Sequence, residues 1–126
     1  MQKIVIYHSP PSSGLTTRAI RRLQVAGNRA VFATAYPDAA RRILDATDAQ
    51  HCIRVISHPE ALTIELRISI PLVIDDAHML SNQELSTLIA GMQDVTLLCH
   101  SSPTASDLLG ALGKEHGVLA EEWRRY

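Results

Sequence analysis

The chain has 126 residues and a net charge of −1, with 46% apolar and 20% charged side chains. That length holds one hydrophobic core, so a single domain over residues 1–126 is expected, and the composition excludes a disordered chain. The overall charge gives no argument for a nucleic-acid or membrane partner, although residues 1–59 carry eight Lys/Arg against three Asp/Glu and residues 60–126 carry four against ten.

Residues 3–7 (KIVIY) form a compact β-branched run that predicts a strand, and residues 8–14 (HSPPSSG) a turn-rich loop. Residues 16–25 set Ala19, Ile20 and Leu23 at helical spacing, and Gly27-Asn28 ends that helix. Residues 29–33 read as a second strand; Pro37 then opens a helix to residue 46 with Ala40, Ile43 and Leu44 on one stripe. Residues 51–57 predict a third strand. Residues 59–69 are ambiguous, fitting a short helix at first and then alternating through Leu66, Ile68 and Ile70. Residues 71–75 predict another buried strand, and Ser81 to Glu84 form a capping box ahead of Leu85, Leu88, Ile89 and Met92. Residues 94–99 predict a further strand, residues 106–114 a last helix, and residues 117–126 a short tail packed down by Trp123. Near-continuous apolar strands separated by helices of about ten residues predict an α/β fold, a three-layer parallel sheet with helices on both faces.

Cys52 and Cys99 form no CxxC pair, and each sits in an apolar run, so both are expected to be free, buried thiols of a cytoplasmic protein. No apolar run approaches the roughly 20 residues of a membrane span, and residues 4–7 are too short for a secretory signal.

In open α/β sheets, ligands bind beyond the carboxyl ends of the strands, so the loops after strands carry the functional signal. Residues 9–17 (SPPSSGLTT) lie between a strand and a helix. They resemble a Walker A loop, GxxxxGK[ST], with Gly14 and Thr16 matching, Ser9 at the first glycine and Leu15 at the lysine. Residues 70–78 (IPLVIDDAH) resemble a Walker B strand with a DEAH-like ending, Asp76 standing where glutamate is usual. The loop precedes the acidic pair by about sixty residues, and a further helix and strand follow, ending Leu98-Cys99-His100-Ser101. Residues 31–41 are similar to the second-strand region of helicase motor domains and phage terminase ATPases, and thymidine kinases share the layout.

Together these motifs resemble a degenerate P-loop NTPase domain over roughly residues 3–101. The resemblance implies a P-loop NTPase-like fold that takes ATP and Mg²⁺. Ser12, Ser13, Gly14, Thr16, Thr17 and Arg18 would lie at the phosphates, with Arg18 the replacement cation. Thr16 and Asp75 would lie at the metal, Asp76 as a residual catalytic base and His100 as a catalytic sensor. Without its lysine, the loop implies weak or absent hydrolysis.

Other chemistries fit the same residues. His8, Asp75, Asp76, His78 and His100 fall at or just past strand ends and are metal-ligand types, though no HxH or HxxxH spacing unites them. The losses at Ser9 and Leu15 suit a retired fold with no cofactor, serving a protein partner or homo-oligomer. Arg18, Arg21, Arg22, Arg41 and Arg42 suit nucleic-acid phosphates. Arg124 and Arg125 are candidates for action in trans within an oligomer.

Overall fold

The computed structural model describes residues 3–9, 14–27, 29–46, 52–65, 69–90, 92–100, 107, 110 and 119–122. Strands and helices alternate as β1 (Lys3–His8), α1 (Leu15–Ala26), β2 (Ala30–Thr34), α2 (Pro37–Asp45), β3 (Ile53–Ser57), α3 (His58–Thr63) and β4 (Leu72–Ile74). A one-turn 3₁₀ helix (Ala77–Met79), α4 (Asn82–Ile89), β5 (Asp94–Cys99) and β6 (Leu119–Glu122) follow. The six strands form one sheet in the order β3-β2-β4-β5-β1-β6, every pairing parallel.

Successive strand residues point to opposite faces, and the core divides accordingly. On one face, Ile4, Ile6, Leu72, Ile74, Val95 and Leu97 pack with Ala61 of α3 and with Leu85, Leu88 and Ile89 of α4. On the other, Phe32, Val73 and Leu98 pack with Leu15, Ala19 and Ile20 of α1 and with Ala40 and Leu44 of α2. The chain is therefore an α/β fold of three layers, with helices on both faces of a parallel sheet, as its apolar runs predicted.

Local chemistry sets the helix ends. Gly14 and Gly27 flank α1 in the left-handed region, at φ 80° and 70°, where an L side chain would be strained. Ser57 caps α3 by accepting the Glu60 N–H, and Ser81 and Glu84 make the expected reciprocal box on α4. This cap, with Pro59 in the first turn, resolves the ambiguity of residues 59–69 in favour of a helix at its start. No strand follows among the described residues 64–65 and 69–71.

Two expectations change, for the tail and for Cys52. The tail contains β6, which pairs in parallel with Val5–His8; Trp123 lies outside the described residues. Of the predicted helix 106–114, only Asp107 and Gly110 are described, both helical. Cys99 is buried as expected, but Cys52 precedes β3 and is exposed. Among the described residues, no helix is long and apolar enough to cross a membrane.

Register brings the functional positions to one edge. His8 pairs with Cys99, Ile74 with Leu97, and Ala33 with Ile74, so β1, β5, β4 and β2 end side by side. Leu15 is 1% exposed and belongs to the core beneath α1. Truncating a fully buried leucine costs about 2–5 kcal/mol, whereas a volume-conserving change costs under about 1.5. We expect Leu15→Ala to fall in the first range and Leu15→Met in the second, measured by urea denaturation.

Candidate functional site

The site grows from the end of β4. The Asp75 N–H donates to the Ala33 carbonyl at 2.8 Å, extending the β4–β2 pairing by one residue. Asp76 then turns the chain at φ 55° and ψ 39°, a left-handed conformation that aspartate tolerates better than most residues. The turn leads into the 3₁₀ helix through a bond from the Met79 N–H to the Asp76 carbonyl. Both carboxylates are thereby held in a buried setting, Asp75 at 2% exposure and Asp76 at 7%.

Each carboxylate has one oxygen tied to a hydroxyl and the other turned to a histidine. Thr16 Oγ1, on the first turn of α1, donates to Asp75 Oδ2 at 2.7 Å. Thr34 Oγ1 and the Ala35 N–H donate to Asp76 Oδ2 at 3.1 and 3.3 Å. His100, just beyond β5, sets its Nε2 3.0 Å from Asp75 Oδ1 and 3.3 Å from Asp76 Oδ1. The Asp76 N–H also donates to Asp75 Oδ1. Behind them, the buried His58 Nε2 lies 2.7 Å from the Asp75 carbonyl. A carbonyl only accepts, so that nitrogen carries the proton.

The electrostatics follow. Hydrogen bonds and charge from Asp75 and Asp76 outweigh burial at His100 and raise its pKa from 6.5 to about 9, so the ring is a cation at neutral pH. Burial acts to raise the Asp76 pKa, but the bonds from His100, Thr34 and Ala35 together with the His100 charge hold it below its ordinary value. Burial, helped by the Asp75 charge, pushes the Cys99 thiol up to about 12, which leaves it inert. Thr16, Thr34, Asp75, Asp76 and His100 line an open cleft of about 790 Å³ together with Tyr36, Ala39, Ile43 and Met79.

The fold thus brings together Thr16, Asp75, Asp76 and His100 from three sequence-distant segments. His78 joins their rim, its ring edge-on to His100 at 5.9 Å. Gly14 caps α1, while Thr17 and Arg18, half-buried on the same turn, are not in the cleft lining. Ser12 and Ser13 lie outside the described residues. His8 ends β1 opposite Cys99 and takes no part in the Asp75–Asp76–His100 cluster. Ser9 is buried, outside the left-handed region, and its N–H donates to the Cys99 carbonyl, so its backbone does not require glycine. Of the basic residues, Arg41 pairs with Asp38 and donates to the Val55 carbonyl, and Arg22 lies over the Tyr7 ring.

Thr34 and His58 were not identified as site residues from sequence. Thr34 carries a signal, a threonine ending a strand before a turn. His58 carries none, since its partner lies 17 residues on and is a backbone carbonyl. Compared with known proteins, the chain matches no family model, and no curated protein matches it significantly.

Because the folded His100 pKa lies above its ordinary 6.5, the stability it contributes is complete below about pH 6.5 and is lost as pH rises through about 9. The Asp76 contribution runs the other way and is lost only as pH falls below its ordinary 3.8. We expect the metal-free protein to lose on the order of 2–3 kcal/mol across the alkaline window in urea melts, and His100→Gln to flatten that slope.

Proposed function

We propose that the chain is a degenerate P-loop nucleotide-binding domain, which holds the phosphates of a nucleoside triphosphate with Mg²⁺ and hydrolyses it slowly or not at all. The observation that carries this reading is the 2.7 Å bond between Thr16 Oγ1 and Asp75 Oδ2, residues 59 apart in the chain. They are the two positions that the motif resemblance assigns to the metal.

The residues present fit that ion. A hydroxyl and a carboxylate are hard oxygen donors, which Mg²⁺ prefers, and it takes its remaining ligands from water and phosphate. When bound, Mg²⁺ neutralises phosphate charge. The chain's own groups do the rest. Gly14, left-handed, opens a 12-residue helix whose first N–H groups and positive end attract anions. His100 brings a cation to the same edge, where Leu15 brings none.

Slow turnover follows from Asp76. A carboxylate that already accepts bonds from Thr34, Ala35 and His100, with its pKa lowered, is a weak base toward water. Its side chain is also one methylene shorter than glutamate. With Leu15 in the core, the cation that reaches the β- and γ-phosphates is missing too.

The test is calorimetry on wild type, Thr16→Ala and Asp75→Asn, titrated with ATP with and without Mg²⁺. We expect Mg²⁺-dependent binding by wild type, an affinity at least about tenfold weaker in Asp75→Asn, and hydrolysis near background. Absence of binding by ATP, ADP, GTP and thymidine nucleotides at millimolar concentration would sink the reading and leave a non-catalytic interaction module as its replacement.

A further inference from the structure

The geometry points to a second metal position at this edge, a site for a borderline divalent cation such as Zn²⁺, Mn²⁺ or Co²⁺, ligated by Asp75 Oδ1, Asp76 Oδ1 and His100 Nε2. It goes beyond the nucleotide reading and does not depend on it, because its ligands are complete within the chain.

Three observations converge. The first is distance: the three ligand atoms lie within 4.8 Å of one another, with His100 Nε2 at 3.0 and 3.3 Å from the two oxygens. Bonds of about 2.0–2.2 Å to a tetrahedral or octahedral ion set neighbouring ligand atoms about 3.0–3.5 Å apart. His100 Nε2 already stands at that spacing from each oxygen, and a cation would replace the N–H bonds as the proton leaves to solvent.

The second is orientation. The opposite oxygen of each carboxylate is fixed from behind, Asp75 Oδ2 by Thr16 and Asp76 Oδ2 by Thr34 and the Ala35 N–H. Outer bonds of this kind hold ligating carboxylates in place before a metal arrives. The left-handed Asp76 serves the same end, since it lets two consecutive aspartates aim at one point. In an extended strand they would face opposite sides of the sheet.

The third is ligand type and access. One imidazole with two carboxylates suits Zn²⁺, Mn²⁺ or Co²⁺ better than Ca²⁺. Three protein ligands leave coordination positions open, and here they open onto the cleft lined by the same residues. Such a site takes a ligand with an anionic or carbonyl oxygen, its apolar portion lying against Tyr36 and Met79.

Co²⁺ is the direct probe. The full chain, stripped with chelator, is titrated with Co²⁺ alone while its visible absorption is followed; Zn²⁺ is then added as competitor. We expect one equivalent to bind with ligand-field bands of a nitrogen-containing site, displaced by Zn²⁺. His100→Gln keeps a donor toward both carboxylates, and so the fold, but should weaken binding by at least about tenfold; circular dichroism checks the fold. No Co²⁺ or Zn²⁺ binding by wild type, or binding that His100→Gln leaves unchanged, would overturn the proposal. Co²⁺ binding without ATP binding would support this site while removing the nucleotide reading, and ATP–Mg²⁺ binding without Co²⁺ or Zn²⁺ binding would do the reverse.

Discussion

Two consecutive carboxylates buried at the end of one short strand are the constraint around which this edge of the molecule is organised. Like charges so close repel, and burial removes the water that would soften the repulsion. The fold answers with one cation shared between them and a hydroxyl behind each. His100 supplies the cation, and Thr16 and Thr34 supply the hydroxyls. Removing any one leaves a buried acceptor unsatisfied, which is why helix α1, strand β2 and the end of β5 must all be in register before the site exists.

The sheet order makes that register possible. β5 lies between β1 and β4, so the residue after β5 emerges between the loop that follows β1 and the acidic pair that follows β4. His100 therefore reaches Asp75 and Asp76 from one side while Thr16 reaches Asp75 from another. β2, on the far side of β4, ends one residue short of the turn and presents Thr34 to Asp76. Three strand ends and the first turn of α1 thus build one polar cluster, and α2 and the 3₁₀ turn add the apolar lining of the cleft through Ala39, Ile43 and Met79.

The start of α1 shows what the chain has given to packing. A lysine at position 15 would need an open, anionic surrounding; the leucine found there is fully buried among Ala19, Ile20 and Phe32. Position 15 belongs to the core, and the positive charge at this edge is carried by His100, whose partners are the protein's own carboxylates.

The sequence by itself determined the layers and most of the elements. β-branched runs, helical spacing and the Ser81–Glu84 box depend on neighbours within a few residues, and those within the described residues appear in the structure near the bounds read. It also marked Thr16, Asp75, Asp76 and His100, the first through a loop that resembles Walker A, the acidic pair through a strand that resembles Walker B, and the histidine as the polar end of the strand that follows. Tertiary structure alone decided the rest. β6, with two glutamates in four residues, is a strand because β1 offers it an open edge, not because of its own pattern. His58 belongs to the site because a buried carbonyl lies 2.7 Å from its ring, a partner no side-chain motif encodes. His8 ends a strand beside the site yet stays out of the cluster, while His100 enters it. Sheet order and register, which arise from contacts far apart in the chain, make that choice.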